Sequence, residues 1–95
     1  MTFLIPTERL VETETLVAFY HPSPGYAFHV LLVPRRDYAT LIDAQPGDAD
    51  LWRDLYQAVQ TLVVKFNLEG RGYRLIANGG KFQDFPHLHF HLIAD

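Results

Sequence analysis

The chain has 95 residues, of which 48% are hydrophobic, 14% aromatic and 20% charged, and its formal net charge is −3. This length supports one hydrophobic core, so we expect a single domain spanning residues 1–95, and the composition excludes a disordered chain. The weak negative charge offers no broad basic surface for a nucleic-acid backbone, so no nucleic-acid partner is expected. The absence of cysteine excludes disulfides, thiolate metal sites and a cysteine nucleophile.

No segment of the sequence indicates a membrane or secretory protein. The N-terminal MTFLIPTERL lacks a basic region followed by a long apolar run. No stretch approaches the roughly 18 consecutive apolar residues that a membrane span needs. We therefore expect a cytoplasmic protein without a membrane partner.

Short strands separated by turns are predicted for the N-terminal half. Residues 9–11 and 15–20 (TLVAFY) have the composition of strands, and residues 21–25 (HPSPG) predict a turn. Residues 27–33 (AFHVLLV) form an apolar run that ends at a proline, which is typical of a buried central strand. The polar connector that follows is compatible with a helical turn or two over residues 38–43.

The main helix is predicted after Pro46-Gly47. Asp48 is suited to the N-cap position, and Asp50 would lie in the first turn, where acidic side chains complement the helix dipole. Asn67 and Gly70 are stop signals. Apolar residues recur between these limits at helical spacing and form one wide stripe. They are Leu51, Trp52, Leu55, Tyr56, Val59, Leu62, Val63 and Phe66.

The order of the predicted elements indicates an α+β fold. Residues 71–77 (RGYRLIA) predict a fourth strand, residues 78–86 (NGGKFQDFP) a loop, and residues 87–92 the last strand. The order β-β-β-α-β-β, with hairpin-length connections at both ends, predicts an antiparallel sheet of about five strands. One main helix would cover one face of this sheet. A second, short helix is also expected. An apolar stripe wider than such a sheet can cover favours self-association.

Three of the five histidines fall within the segment HLHFHL, residues 87–92. Because side chains in a strand alternate between its faces, His87, His89 and His91 would share one face. A helix would instead mix polar and apolar side chains on the same surface. The residues between the histidines would then face the core. These are Leu88, Phe90 and Leu92.

Three interpretations of the histidine row are open. A solvent-facing strand accounts for polarity but not for histidine, since three imidazoles protonated together repel one another. A metal site suits neutral imidazoles spaced about 6.5 to 7 Å apart, although only Asp84 and Asp95 lie close by in sequence as further ligands. Nucleophilic catalysis requires His89 to be unprotonated at the attacking nitrogen while its other nitrogen donates to a fixed acceptor, often a backbone carbonyl.

The loop before the row favours catalysis over a metal site. Backbone N–H groups in NGGKFQ and the side chains of Asn78, Lys81 and Gln83 are suitable donors for phosphate oxygens. A glycine pair alone indicates only a turn. Its position next to the histidines makes it stronger evidence for a phosphate-binding loop. His29, in the apolar third strand, is expected to be a structural or hydrogen-bonded histidine outside the site.

The segment HLHFHLI, residues 87–93, resembles the signature of the histidine triad (HIT) family, His-x-His-x-His followed by two apolar residues. The resemblance extends to LVAFYHPSPGYAFHVLLVPRRDY, residues 16–38, and to GYRLIANGG, residues 72–80, and it covers about residues 4–93. It implies an α+β meander, a homodimer, and a site for a purine nucleotide or nucleoside phosphate on each subunit. No cofactor or resident metal is expected.

The resemblance also implies catalytic roles. His89 would be the nucleophile that forms a covalent nucleotidyl intermediate, which is later hydrolysed or transferred. His91 would hold the ring of His89 through a backbone contact, and His87 would lie beside the leaving group. The implied enzyme cleaves a P–N or P–O bond, as a nucleoside phosphoramidate or dinucleotide hydrolase or transferase does.

The same resemblance implies the substrate-binding positions. Asn78 and Gln83 match amide residues that face the phosphates, and Phe19 matches an apolar residue that lines the base pocket. His21 stands where the family has an acidic residue that binds the ribose, so recognition of the sugar diol would differ here.

Two carboxylates depart from the pattern of the family. Asp37 stands where a fourth histidine often follows the proline of the third strand, and Asp84 stands where a hydroxyl residue often follows Gln83. Each places negative charge close to an anionic substrate. Two functions other than an enzyme are therefore also considered. One is a nucleotide-binding or dimer-scaffold module with little turnover, and the other is a metal protein with histidine ligands.

Overall fold

A five-stranded antiparallel sheet forms the framework of the protein. The computed structural model describes residues 8–95. The strands are β1 (Val11–Glu12), β2 (Leu16–Tyr20), β3 (Phe28–Pro34), β4 (Tyr73–Ala77) and β5 (Phe90–Ala94), and they lie in the order β1-β2-β3-β5-β4. The first three strands form a meander, β4 lies at the far edge, and β5 returns between β3 and β4. The predicted α+β fold with about five antiparallel strands is confirmed.

One long helix and one short helix accompany the sheet. They are α1 (Ala49–Lys65) and α2 (Leu68–Arg71), and single 3-10 turns occur at Leu41–Asp43 and Gly80–Phe82. Asp48 is the N-cap residue of α1, as predicted, although its carboxylate accepts a hydrogen bond from the N–H of Gln45, at 2.9 Å, rather than from the helix. Asn67 adopts a left-handed conformation with φ of 54°, which separates α2 from α1. No helix within residues 8–95 is long and apolar enough to cross a membrane.

The last strand begins later than the sequence predicted. It was expected over residues 87–92, but it spans Phe90–Ala94, so His87 and His89 precede it and only His91 lies within it. Pro34, at the end of β3, has no N–H to donate, and its carbonyl oxygen is 3.0 Å from Nε2 of His87. The ladder between β3 and β5 therefore stops at Phe90.

Helix α1 packs on one face of the sheet. The apolar residues that precede and follow the histidines, Leu88, Phe90 and Leu92, are buried in this core, as predicted. The predicted stripe on α1 is wrong at Tyr56, which is 66% exposed, and it omitted Ala58, which is buried.

The opposite face of the sheet, here called the histidine face, carries Phe19, Leu31 and His91. The strand register aligns Phe19 with Leu31 and Leu31 with His91, so the three form a row across β2, β3 and β5. Residues aligned in this way point to the same side of a sheet. With Val17 and Val33, Phe19 and Leu31 form a second buried apolar cluster. This cluster is the apolar floor beside the histidines.

Candidate active site

The fold brings all five histidines of the chain together. The ring centroids of His89 and His91 are 4.9 Å apart, and those of His29 and His91 are 5.1 Å apart. The ring of His21 lies 4.4 Å from that of His29. His29 was expected to be a structural or hydrogen-bonded histidine, and it is hydrogen-bonded to Gly25 and His91. It lies next to the triad because β3 is the strand beside β5 and presents His29 on the histidine face.

His89 is held by a backbone carbonyl. The oxygen of His87 lies 2.8 Å from Nδ1 of His89, and because a carbonyl oxygen only accepts, Nδ1 carries the proton. In the neutral ring the lone pair is therefore on Nε2. A nucleophilic imidazole needs this arrangement, in which one nitrogen is anchored and the other has a lone pair. The backbone contact was expected from His91, which is wrong, because it comes from His87.

A chain of hydrogen bonds fixes the tautomer of His91. The N–H of Gly25 donates to Nδ1 of His29 at 3.1 Å, so the proton of the neutral His29 ring is on Nε2. This Nε2 lies 2.8 Å from Nδ1 of His91 and donates to it. The proton of His91 is then on its buried Nε2, which has no hydrogen-bond partner among residues 8–95. The fold thus holds an unsatisfied buried donor in the ring next to that of His89.

The surroundings keep His29 and His91 neutral. Burial lowers the pKa of His91 to about 4, and the neighbouring imidazoles, beginning with His89, act in the same direction. Burial also lowers the pKa of His29, with a further contribution from His21. Both rings are uncharged near neutral pH. The hydrogen bond between them requires this, because a fully protonated His91 could not accept from His29.

His87 lies between a backbone carbonyl and a carboxylate. Its Nε2 donates to the oxygen of Pro34, and its Nδ1 lies 3.4 Å from Oδ1 of Asp37. The His87 ring is buried, whereas the side chain of Asp37 is 83% exposed. The residue that replaces the fourth histidine of the pattern is therefore brought directly to the triad. The two groups form an ion pair when the ring is protonated.

Of the predicted substrate-binding residues, Phe19 and His21 are brought to the histidine face. Asn78 directly follows Ala77, the last residue of β4, which pairs with Phe90. Phe19 lies in the row of His91 but is only 1% exposed. Nδ1 of His21 accepts a hydrogen bond from the N–H two residues later, at 2.9 Å, so the proton of its neutral ring is on Nε2.

Gln83 is placed differently from the prediction. Its side-chain nitrogen donates to the oxygen of Ala39, at 2.8 Å, and to that of Phe85, at 2.9 Å. Both amide hydrogens are thus directed to the backbone, and they tie the loop before the triad to the segment after β3. This geometry favours a role in holding the loop rather than in donating to phosphate.

The geometry also weakens the metal interpretation. Within residues 8–95, no group of three or more His, Asp or Glu side chains is arranged to hold a metal ion. Three ring nitrogens of the triad, Nε2 of His87, Nδ1 of His89 and Nδ1 of His91, already form hydrogen bonds with protein atoms.

Comparison with known proteins identifies the family. The model of the HIT domain family matches residues 2–95. The chain belongs to the HIT family. It is 32% identical over 94 residues to a 13.2 kDa HIT-like protein of Azospirillum brasilense, a match that covers 95% of this chain and 76% of that protein. It is 28% identical over 92 residues to a HIT-like protein of Helicobacter pylori, with 95% and 86% covered.

Solved HIT structures have the same fold. A HIT family hydrolase from Legionella pneumophila superposes with a TM-score of 0.84 at 28% identity, covering 95% of this chain and 82% of that one. A histidine triad nucleotide-binding protein from Candida albicans superposes with a TM-score of 0.80 at 29% identity, covering 93% and 65%. The family and fold predicted from HLHFHLI are confirmed.

Proposed function

We propose that this HIT protein binds a nucleotide or nucleoside phosphate and cleaves a P–N or P–O bond through His89, as a hydrolase or nucleotidyl transferase. The observation that carries the proposal is the bond from Nδ1 of His89 to the oxygen of His87, which leaves a lone pair on Nε2. The names of two relatives agree with it, since the Legionella protein is called a hydrolase and the Candida protein is called nucleotide-binding.

The proposed reaction has two displacements at phosphorus. In the first, the Nε2 lone pair of His89 forms an N–P bond while the bond to the leaving group breaks, and the leaving group departs with the bonding pair and takes a proton from solvent. In the second, water attacks phosphorus, the N–P bond breaks, and its electron pair returns to Nε2. The water releases the proton that the first step consumed. An acceptor alcohol or phosphate in place of water gives transfer.

The neighbouring groups suit a phosphoryl substrate. Nε2–H of His91 is a buried donor beside the nucleophile, and it can bind a phosphoryl oxygen as negative charge builds up. His29 is a positioning residue, because it acts on the substrate only through the tautomer of His91. Asn78, which directly follows the last residue of β4, offers a side-chain amide for the same phosphate.

A nucleotidyl adduct is the expected signature of this mechanism. The protein is mixed with a panel of adenosine and guanosine phosphoramidates and dinucleotides, quenched in acid-free denaturant, and weighed by intact-mass spectrometry. We expect one added nucleoside monophosphate per chain, absent in His89→Gly, together with release of the leaving group. Calorimetric binding of AMP or GMP without turnover or adduct would instead assign the protein to a binding module, which the carboxylates Asp37 and Asp84 beside the triad favour.

We also propose that the protein is a homodimer that pairs along β4. This strand is an edge of the sheet, and its residues on the side of α1 stay exposed, with Leu75 at 45%. Tyr56 and Val64, on the outer surface of α1, are exposed apolar side chains as well. An unpaired edge strand with exposed apolar side chains is suited to pairing with a second copy of itself.

Leu75→Lys is expected to convert the dimer into a monomer, because it places charge in the centre of the proposed interface. Light scattering after size-exclusion chromatography should give a mass twice the 10.9 kDa of one chain for the parent protein and 10.9 kDa for the variant. Ile42→Lys, which adds the same charge at an exposed apolar residue outside this surface, is the matched control and should stay dimeric. A monomeric parent protein would contradict the proposed dimer.

A further inference from the structure

A carboxylate stands beside the proposed attacking nitrogen. Oδ1 of Asp84 lies 3.7 Å from Nε2 of His89, and the side chain of Asp84 is 82% exposed while the ring is buried. The charge of Asp84 is also felt at His91, where it opposes the lowering of the pKa that burial causes. Asp84 therefore lies beside the nitrogen that would attack a phosphoryl group.

The two arginines that follow β3 form ion pairs with carboxylates other than Asp84. Arg35 pairs with Glu12 at 2.8 Å, and Arg36 approaches Asp48 at 3.5 Å. Lys81, in the loop before the triad, has its ammonium 5.7 Å from the centre of a neighbouring aromatic ring. His29 and His91, whose pKa values are lowered, are neutral near pH 7. Among residues 8–95, none of these groups forms an ion pair with Asp84.

Distance decides which part of a substrate Asp84 meets. Before attack, phosphorus lies about 3 to 3.5 Å from the attacking atom. The carboxylate oxygen Oδ1 of Asp84, 3.7 Å from Nε2 of His89, is then at most about 7 Å from phosphorus. It repels the anionic phosphoryl oxygens, and it attracts a positive charge carried near the scissile bond.

We propose that Asp84 selects substrates whose leaving group carries a positive charge, such as a primary ammonium, a few bonds from phosphorus. The inference rests on the proposed function, because it concerns the leaving group of the same displacement by His89. Asp37, 3.4 Å from Nδ1 of His87, adds negative charge to the same surface. Asp84 thus acts as a specificity residue. Its attraction for a cationic group of the substrate compensates for its repulsion of the anionic phosphate.

A matched series of adenosine phosphoramidates tests the inference. The leaving amines have equal length and end in an ammonium, a methyl or a carboxylate. The quantity compared is kcat/KM for the ammonium substrate divided by that for the methyl substrate, in the parent protein and in Asp84→Asn. Because intrinsic reactivity cancels between the two proteins, the change in this ratio reports Asp84 alone. We expect the ratio to fall about two- to fivefold in the variant, the size of effect typical of an exposed ion pair.

The controls separate charge recognition from structure. Asp50→Asn removes one exposed carboxylate in the first turn of α1 and should leave the ratio unchanged. In the parent protein the ratio should decrease as salt is raised, since exposed charges are screened. For the carboxylate substrate, Asp84→Asn should raise kcat/KM rather than lower it.

Three outcomes would overturn the inference. One is an unchanged ratio in Asp84→Asn while all substrates are turned over, which leaves the proposed function intact. Another is that magnesium stimulates the parent protein but not Asp84→Asn, and equally so for every leaving group. That result would assign the carboxylate to a divalent cation. If the parent protein turns over no substrate, the proposed function fails, and the same ratio is then measured from calorimetric Kd values. Equal Kd ratios in the two proteins are the third outcome.

Discussion

Replacing His89 with alanine is expected to lower kcat on the best phosphoramidate or dinucleotide substrate by about a thousandfold or more. The variant lacks the only imidazole whose Nδ1 is anchored on the His87 carbonyl and whose Nε2 has the lone pair. Water would then have to attack phosphorus directly, without the covalent intermediate. The measurement is the steady-state rate of leaving-group release at saturating substrate.

His91→Phe is expected to have an intermediate effect, because it removes a hydrogen-bond donor but keeps the nucleophile. Loss of one preorganised donor lowers kcat by about a hundredfold to a thousandfold in other enzymes. Gln57→Ala, at an exposed position on α1, is the control for expression and folding and should retain full activity. If His89→Ala keeps the activity of the parent protein while His91→Phe loses it, the nucleophile has been assigned to the wrong ring.

The sequence predicted the fold and the triad because both depend on local periodicity. Alternation in HLHFHL places Leu88, Phe90 and Leu92 in the core and the histidines opposite, and this parity holds although the strand itself starts only at Phe90. The helical spacing over residues 51–66 likewise predicts α1, since one stripe of a helix must face the sheet. Such patterns are readable without knowledge of the neighbours in space.

Contacts between distant segments could not be predicted in the same way. The bond between His29 and His91 joins residues 62 positions apart, and it depends on β5 returning to lie beside β3. His29, Leu31 and Val33 lie on the same face of β3 because they are two residues apart. Once the strand order is known, this spacing places His29 on the face that carries His91. Gln83 shows that residue type alone does not predict the partner of a polar side chain. Its amide could donate to a phosphate, whereas in the fold it donates to two backbone carbonyls.

The stability of the protein is expected to fall as pH decreases from about 6.5 towards 4. The pKa of His91 is about 4 in the folded protein, and burial is the main cause, whereas the ordinary value is 6.5. Between these values the unfolded chain binds a proton that the folded protein does not, so the free energy of unfolding rises with pH across this window. The contribution of His91 is fully present above 6.5 and is lost as pH falls towards 4. Its size is about 2 kcal/mol, after a discount for the partial exposure of the ring.

His91→Asn isolates this contribution from that of the carboxylates, which also titrate at low pH. Asparagine has no titrating proton, and its side-chain oxygen can accept the hydrogen bond from Nε2 of His29. Urea unfolding at pH 7 and pH 4.5 gives the free energy of unfolding of both proteins. We expect the parent protein to lose about 2 kcal/mol more than the variant between these conditions. Equal losses would mean that His91 takes up its proton in the folded state as readily as in the unfolded chain. The neutral relay from Gly25 through His29 to His91 would then be absent, and with it the buried donor that the proposed mechanism uses.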